Sequence, residues 1–481
     1  MRTCLYFLFF FLVLKASAQQ KWDLRKCVDY AKKNNISVKQ ADVQARISAL
    51  QLKQAQLAFY PNASLSSGIG SQFGRSIDRT TNVYSNTQSL YQNFQLQSGI
   101  EVYNYGRLKN NFSYAQFSAK AALQDVEKAA NDAALSVCTY YLQVLAAKEQ
   151  LVINEIQIEQ TKTQLSITQK KVDAGALAEL NLVELEAQLA NDSSTYISAK
   201  TTYQQNILAL KGVINLDAAA PFEVATPEVS TIPIPTFAEL QPEDVYQLAL
   251  GNQPLQKGNE FRMKAAEKNI LVSKAQLYPS ITLGVNLSSN FYNSFNKITG
   301  YNFNGYSQNG DIVNVGGANY AVTSPNVTIQ QSKRSFGELF DGYGNQLNNN
   351  FGQTVGFNFS IPVFNNGQYR IAYEQSKLNY KTQTLNKESA DLTLKQNIYT
   401  AYTNAVLALQ KYNAGKKSVE SNQKAFEFAT KRYEVGLLGT LDLLTNQNNL
   451  LRAKLQQVSN EYDYVFKMKL LEFYKGQGLK L

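Results

Sequence analysis

The 481-residue chain contains no histidine. That removes the commonest general base and the commonest transition-metal ligand. No pair of cysteines at metal-site spacing and no Gly-rich phosphate loop makes up for it. Cysteine itself is scarce, with only Cys27 and Cys138 outside the first residues. Two thiols do not make a disulfide scaffold. They read either as buried free thiols or as one bridge, and the sequence leaves both open. Beyond the first residues no apolar run is long enough for a transmembrane helix. Proline and glycine are missing from two long stretches, about 107–172 and about 368–433, save for Gly415. An enzyme is not expected, since Asn- and Gln-rich helices are a poor frame for a nucleophile triad. No catalytic residue, cofactor or metal site is expected either.

Residues 1–18 read as a secretory signal peptide. Arg2 is the charged start, Leu5 to Leu14 the apolar stretch, and Ala16-Ser17-Ala18 the cleavage site. No cysteine follows in a lipidation context. Loss of Arg2 and Lys15 lowers the net charge from +10 to +8. Outside the cytoplasm this reads as a diffuse basic surface, and no nucleic-acid partner is expected.

What the chain does have is a duplication. Ala31-x-x-Asn34 and Tyr60-Pro61 followed by Ser64-Leu65 recur as Ala249-x-x-Asn252 and Tyr278-Pro279 followed by Thr282-Leu283, 218 positions later. Lys171-Val-Asp-Ala-Gly175 with Leu180-Asn181-Leu182 recurs as Arg432-Tyr-Glu-Val-Gly436 with Leu441-Asp442-Leu443, 261 positions later. The second copy therefore carries 43 extra residues. Repeats this long predict two equivalent halves, 19–240 and 241–481.

Four stretches alternate apolar and polar residues with period two, predicting strands at about 62–73, 91–102, 280–289 and 351–363. Each is long enough for a tilted membrane strand. The Pro- and Gly-poor stretches predict rods on the order of 100 Å. A seven-residue apolar line, Val137, Val144, Leu151, Ile158, Leu165, Val172, predicts helix-on-helix coiling. It repeats as Ile398, Ala405, Tyr412, Val419, Phe426, Tyr433, and shows again as Leu182, Leu189, Tyr196, Tyr203, Leu210. The helical hairpins are expected over about 107–212 and 367–475. Residues 22–58, 181–212, 243–278 and 441–475 are each about half a rod. The Pro-rich linker 213–240 should form a belt around the middle of the rods. Residues 290–350, rich in Asn, Gly and Tyr, predict a long external loop or extended hairpin.

Four strands cannot close a barrel, and an open sheet in lipid leaves edge groups unpaired at several kcal/mol each. If these strands lie in a membrane, several chains must pool them; alternation alone leaves an ordinary soluble sheet with one wet face open. The order of elements, the Tyr-Pro before strands one and three, and the Arg432-Tyr-x-x-Gly436-Leu437 tip together resemble the TolC-like outer-membrane factors. The resemblance spans essentially the whole mature chain. It implies a mainly α protomer with membrane β, internally duplicated, with long coiled-coil helices and four transmembrane strands. Three copies would form a 12-stranded β-barrel in outer-membrane lipid and an α-helical tunnel in the periplasm. The implied function is the exit duct of a tripartite efflux pump or type I secretion system. Its implied partners are a periplasmic adaptor (membrane fusion) protein and an inner-membrane transporter.

The resemblance also implies site residues. An acidic ring at the periplasmic mouth falls on Asp442, six residues after Gly436, and crowded carboxylates there would attract cations. As a plain helix N-terminal acid, Asp442 would instead answer the backbone dipole. Thr445 stands where many relatives have a second acid. Asn181 and Leu438 replace an ion pair that closes the tip in relatives, whereas Tyr433 matches. Closure is then expected to rest on hydrogen bonds and packing. Gly175 and Gly436 are expected to need positive φ. Val435, Gly436 and Leu437 are expected to dock the adaptor, with Ala174, Gly175 and Ala176 as the weaker counterpart. The alternative is a secreted or surface-attached coiled-coil fibre, structural or adhesive, with a β head. It does not account for two equal halves each with a membrane-length strand pair.

Overall fold

The computed structural model describes residues 21–77, 84–226 and 235–476. The expected leader, and Pro227 and Pro233 of the linker, lie outside the described residues. Along the chain come α1 (Leu24–Asn34), α2 (Ile36–Leu57), β1 (Asn62–Ile77), β2 (Tyr84–Tyr103), α3 (Arg107–Asp173) and α4 (Glu179–Ile214). A 3-10 turn at Phe237–Leu240 leads to α5 (Pro242–Asn252), α6 (Pro254–Ala275), β3 (Ser280–Ser294), β4 (Asn296–Val315) and β5 (Ala318–Lys333). A second 3-10 turn, Gly337–Phe340, precedes α7 (Tyr343–Asn349), β6 (Gly352–Ser360), α8 (Gln368–Glu434) and α9 (Thr440–Lys475).

The duplication shows in element lengths. α1 and α5 have 11 residues each, α2 and α6 have 22, α3 and α8 have 67, and α4 and α9 have 36. The turns into the long helices repeat as well, with positive φ at Tyr105 and Gly106 and again at Asn366 and Gly367.

Two half-rods expected as single helices are broken. Between α5 and α6 the cause is Pro254, which pushes Gln253 into an extended conformation. Between α1 and α2 Asn35 takes the same conformation, and its Oδ1 accepts from Ser37 N at 2.9 Å as a cap.

The chain folds as two compact units. The helical unit comprises the residues up to Lys53, Phe112–Ile270, and those from Gln375 onward. Two large cores lie along it, the first also drawing in Val458, Tyr462 and Val465 of the second copy. The first joins Leu24, Cys27, Val137, Tyr141, Val144 and Leu210. The second joins Leu240, Val245, Ile398, Ala405, Met468 and Leu471. Val137 and Ile398, Val144 and Ala405, and Leu210 and Leu471 are equivalent positions in the two copies. Residues near the start of the unit and in the linker are laced together, Trp22 pairing with Val224 in a parallel bridge. Tyr141, near the midpoint of α3, donates its hydroxyl to Ala225 O at 2.6 Å. Cys27 and Cys138 are free and buried, and burial pushes both thiols up to about 12. They are structural and unreactive.

The seven-residue line of α3 departs from expectation. Val137 and Val144 are fully buried, but Leu151, Ile158, Leu165 and Val172 are only half-buried. The buried line in that half is polar: Asn154, Thr161 and Thr168.

The second unit comprises Gln54–Asn111 and Leu271–Glu374. Six strands are found where four are expected. Four form one antiparallel sheet in the order β1-β2-β3-β6. The stretch expected as a long loop or extended hairpin holds the paired β4–β5 hairpin, flanked by the tail of β3 on one side and a 3-10 turn and α7 on the other. The two arms pair along their length, with register shifts between Ile298 and Gly300, Phe303 and Tyr306, and Gln308 and Ile312. In the sheet, register sorts residues by polarity. Leu65, Leu96, Leu287 and Gln353 align across the strands, as do Ile100, Leu283 and Phe357, and Ile281 and Phe359. The opposite face carries Ser64, Gln97, Asn286 and Thr354 in one row, and Gly99, Gly284 and Gly356 in another. A one-residue slip in any pairing would mix the faces.

Candidate functional site

The helical unit ends in two tight turns. In the first, Gly175 has φ +73 and its N–H donates to Val172 O, while Ala176 N donates to Lys171 O, both at 2.8 Å. In the second, Gly436 has φ +76, with Gly436 N to Tyr433 O at 3.1 Å and Leu437 N to Arg432 O at 2.8 Å. These paired bonds are the Schellman closure of a helix, which needs a left-handed residue that only glycine adopts freely. Ala174, Gly175 and Ala176 are exposed, as are Val435, Gly436 and Leu437. The second turn shows more apolar surface, with Val435 68% and Leu437 70% exposed.

The turns share a backbone but not a chemistry. Tyr433 replaces Val172 of the first copy and is buried with Ala429 and Leu443, Leu177 and Leu438 packing alongside. Its hydroxyl lies 2.9 Å from Thr168 Oγ1 and 3.5 Å from Thr440 Oγ1. Thr440 donates to Asn181 Oδ1 at 2.6 Å, and Asn181 Nδ2 donates to Ala178 O at 3.0 Å. Lys171 stands over the Tyr433 ring, 5.4 Å from its centre, and donates to Glu434 O at 3.3 Å. Of the residues singled out from sequence, Tyr433 and Asn181 are thus brought together. Asp442 and Thr445 are exposed on α9 and stand outside this chain of bonds. Their neighbourhood is local: Thr445 Oγ1 donates to Leu441 O at 2.8 Å, and Asn446 Nδ2 to Asp442 O at 2.8 Å.

Sequence reasoning missed Thr168 and Thr440, which complete the network, and it missed a second polar layer. There the buried Asp192 accepts from Thr161 Oγ1 at 2.6 Å and from Gln188 Nε2 at 2.8 Å. Gln447 Nε2 donates to Thr161 Oγ1 at 3.1 Å, and Gln188 and Asn448 exchange amide bonds at 3.2 and 3.3 Å. A signal existed. Thr161 and Thr168 are seven apart on α3, Thr440 and Gln447 seven apart on α9, and Asp192 lies seven after the buried Leu185. Polar residues at seam positions mark register-setting layers. The arrangement holds helices of the two copies together by hydrogen bonds that water can replace.

Comparison with known proteins places this geometry. The family model described as outer membrane efflux protein matches residues 27–216 and 324–474. The chain is 22% identical over 363 residues to the pyoverdine export outer membrane protein OpmQ of Pseudomonas putida, covering 75% of this chain and 65% of that one. It is 20% identical over 348 residues to the outer membrane protein TolC of Escherichia coli, covering 72% and 62%. The matches thus span a little under two thirds of these relatives' length. Among solved structures, CusC, studied for its transmembrane channel formation, superposes with a TM-score of 0.72 at 15% identity, covering 94% of this chain and 92% of that one. The fold is therefore that of these outer-membrane proteins, and the outer membrane is where this chain resides. The fibre alternative finds no support among them.

Proposed function

Because this chain belongs to the outer membrane efflux protein family, we propose that it is the outer-membrane exit duct of a tripartite efflux pump or type I secretion system. It conducts substrates passively from a periplasmic adaptor and an inner-membrane transporter to the outside, and catalyses nothing itself. Three copies assemble: the sheets make one barrel and the long helices one periplasmic tunnel.

The observation that carries this reading is the register of the sheet. One face of the four strands is largely apolar, the other is polar and glycine-rich, and among the described residues the outer strands β1 and β6 have no further neighbour in the sheet order. A wall with a lipid side, a water side and two open edges is part of a closed barrel. The helices support it independently. Ile36, Val43 and Leu50 on α2 and Leu378, Leu385 and Leu392 on α8 stand seven apart, each 50–68% exposed. Unpartnered heptad lines on both helices suit seams with neighbouring copies.

At the mouth, Asp442 forms the charged ring, with Thr445, Asn181 and Tyr433 around it, and the exposed Val435-Gly436-Leu437 turn receives the adaptor. Two measurements test the proposal. The detergent-extracted protein should have a trimer's mass, and a stable monomer would overturn the reading. In planar bilayers, Asp442→Ala should raise single-channel conductance and weaken block by multivalent cations. No change in either removes Asp442 from the pore.

A further inference from the structure

Beyond Ser288 the β3 strand keeps β2 on one side but loses its neighbour on the other, because β6 begins only at Gly352. Residues 335–351 cover the gap. On the open edge, Tyr292 N donates to Gln346 Oε1 at 3.1 Å, and Asn350 Nδ2 donates to Asn290 O at 2.7 Å. On the face, Ser289 Oγ donates to Leu347 O at 2.6 Å, Asn293 Nδ2 to Leu339 O at 3.1 Å, and Tyr343 OH to Gln92 Oε1 at 2.8 Å. Phe291 is fully buried, its ring 4.9 Å from Tyr343 and stacked 6.2 Å from Phe340.

The covered residues reveal which side of the wall this is. Ser289 pairs with Phe94, Phe291 with Gln92, and Asn293 with Leu90. By strand alternation they share the face of Leu283, Leu287 and Phe357, the apolar one. The segment therefore lies outside the wall rather than in the lumen. Its height is also defined. Phe291 is ten residues above Ile281, and a tilted strand climbs roughly 2.5 Å per residue along the membrane normal, so the segment begins about 25 Å up. That is the height of the apolar band of a membrane barrel, whose borders carry aromatic girdles. Phe336 is 80% exposed and Phe351 50%.

We propose that residues 335–351 form a collar resting on the outer-leaflet lipid, with Phe336 and Phe351 at the boundary between headgroups and acyl chains. The collar shields the bare edge of β3 from lipid without narrowing the exit. This rests on the barrel reading given above, and the test separates the two. Cys27 and Cys138 are buried, so a single introduced cysteine takes the label. Phe336→Cys, Phe357→Cys on the apolar face and Ser307→Cys on the exposed hairpin are each labelled with an environment-sensitive fluorophore. The labelled proteins are reconstituted into phosphatidylcholine vesicles carrying a spin label near the headgroup or near the bilayer centre. The Phe336→Cys probe should lose most of its emission to the headgroup-level label, the Phe357→Cys probe to lipid labels in general, and the Ser307→Cys probe only to aqueous iodide. If Phe357→Cys responds to lipid while Phe336→Cys responds to iodide alone, the collar is overturned and the barrel stands. If Phe336→Cys responds to neither, a second copy covers it and the lipid contact is overturned. If Phe357→Cys also ignores lipid, the barrel reading falls and takes the collar with it.

Discussion

The two halves of α3 are built on different principles. Around its middle the buried residues are apolar: Ala134, Val137, Cys138, Tyr141, Leu142, Val144 and Leu145. Toward the tip they are Asn154, Gln157, Thr161 and Thr168. Apolar burial contributes about 25 cal/mol per Å² and tolerates small slides. A hydrogen-bonded layer nets only about 1 kcal/mol per bond, but it demands one register. The middle of the rod is thus the anchor. The tip half is held more weakly and more specifically, by buried hydrogen bonds between helices. Under the exit-duct proposal, that division lets the mouth release its contacts cheaply while the far end holds.

The largest effect tests the anchor. Tyr141→Ala should cost on the order of 3–5 kcal/mol, as loss of a buried aromatic does. Denaturant unfolding of the extracted protein would measure it. Tyr141→Phe, which loses the hydroxyl's contacts with Ala225 O and Trp22 O, should cost about 1 kcal/mol. The next effect tests the layer. Asp192→Ala removes the carboxylate that accepts from the Thr161 hydroxyl and from the Gln157 and Gln188 amides, at about 1–3 kcal/mol. Asp192→Asn keeps an acceptor for Thr161 and should cost less. Faster hydrogen exchange confined to the 154–168 and 440–448 stretches would mark the layer as local. If Asp192→Ala instead unfolded the protein as fully as Tyr141→Ala, the contrast between the halves would be wrong.

The sequence carried the duplication, the strand pair of each copy, the two tips and the 67-residue helices, because each rests on local periodicity or on a glycine that a turn requires. It did not carry which seam a single chain buries. Leu151, Ile158 and Leu165 look like core by spacing, yet Asn154 and Thr161 occupy the intrachain seam. Composition cannot separate a seam within one chain from a seam between copies. Nor did it carry the 335–351 cover, since its contacts with Gln92 and Phe291 are long-range. At the tip, Tyr433 and Asn181 stood out from their positions around the two turn glycines. Thr440, which supplies the bond to Asn181, looks in sequence only like the start of a helix.

The smallest effect on stability should be the most visible in function. Tyr433→Phe keeps the ring packed against Ala429 and Leu443 and removes only the hydroxyl shared with Thr168 and Thr440. Global stability should fall by about 1 kcal/mol. If those bonds exist only in the closed mouth, the same loss shifts the closed-to-open ratio about fivefold, seen as more frequent openings in single-channel records. Thr440→Val, which breaks the bond to Asn181, should act in the same direction. The two together should fall short of the sum, since both cut one chain of hydrogen bonds. Strictly additive effects would mean that Tyr433 and Thr440 act separately, and that the tip has no shared latch to set against the anchor at Tyr141.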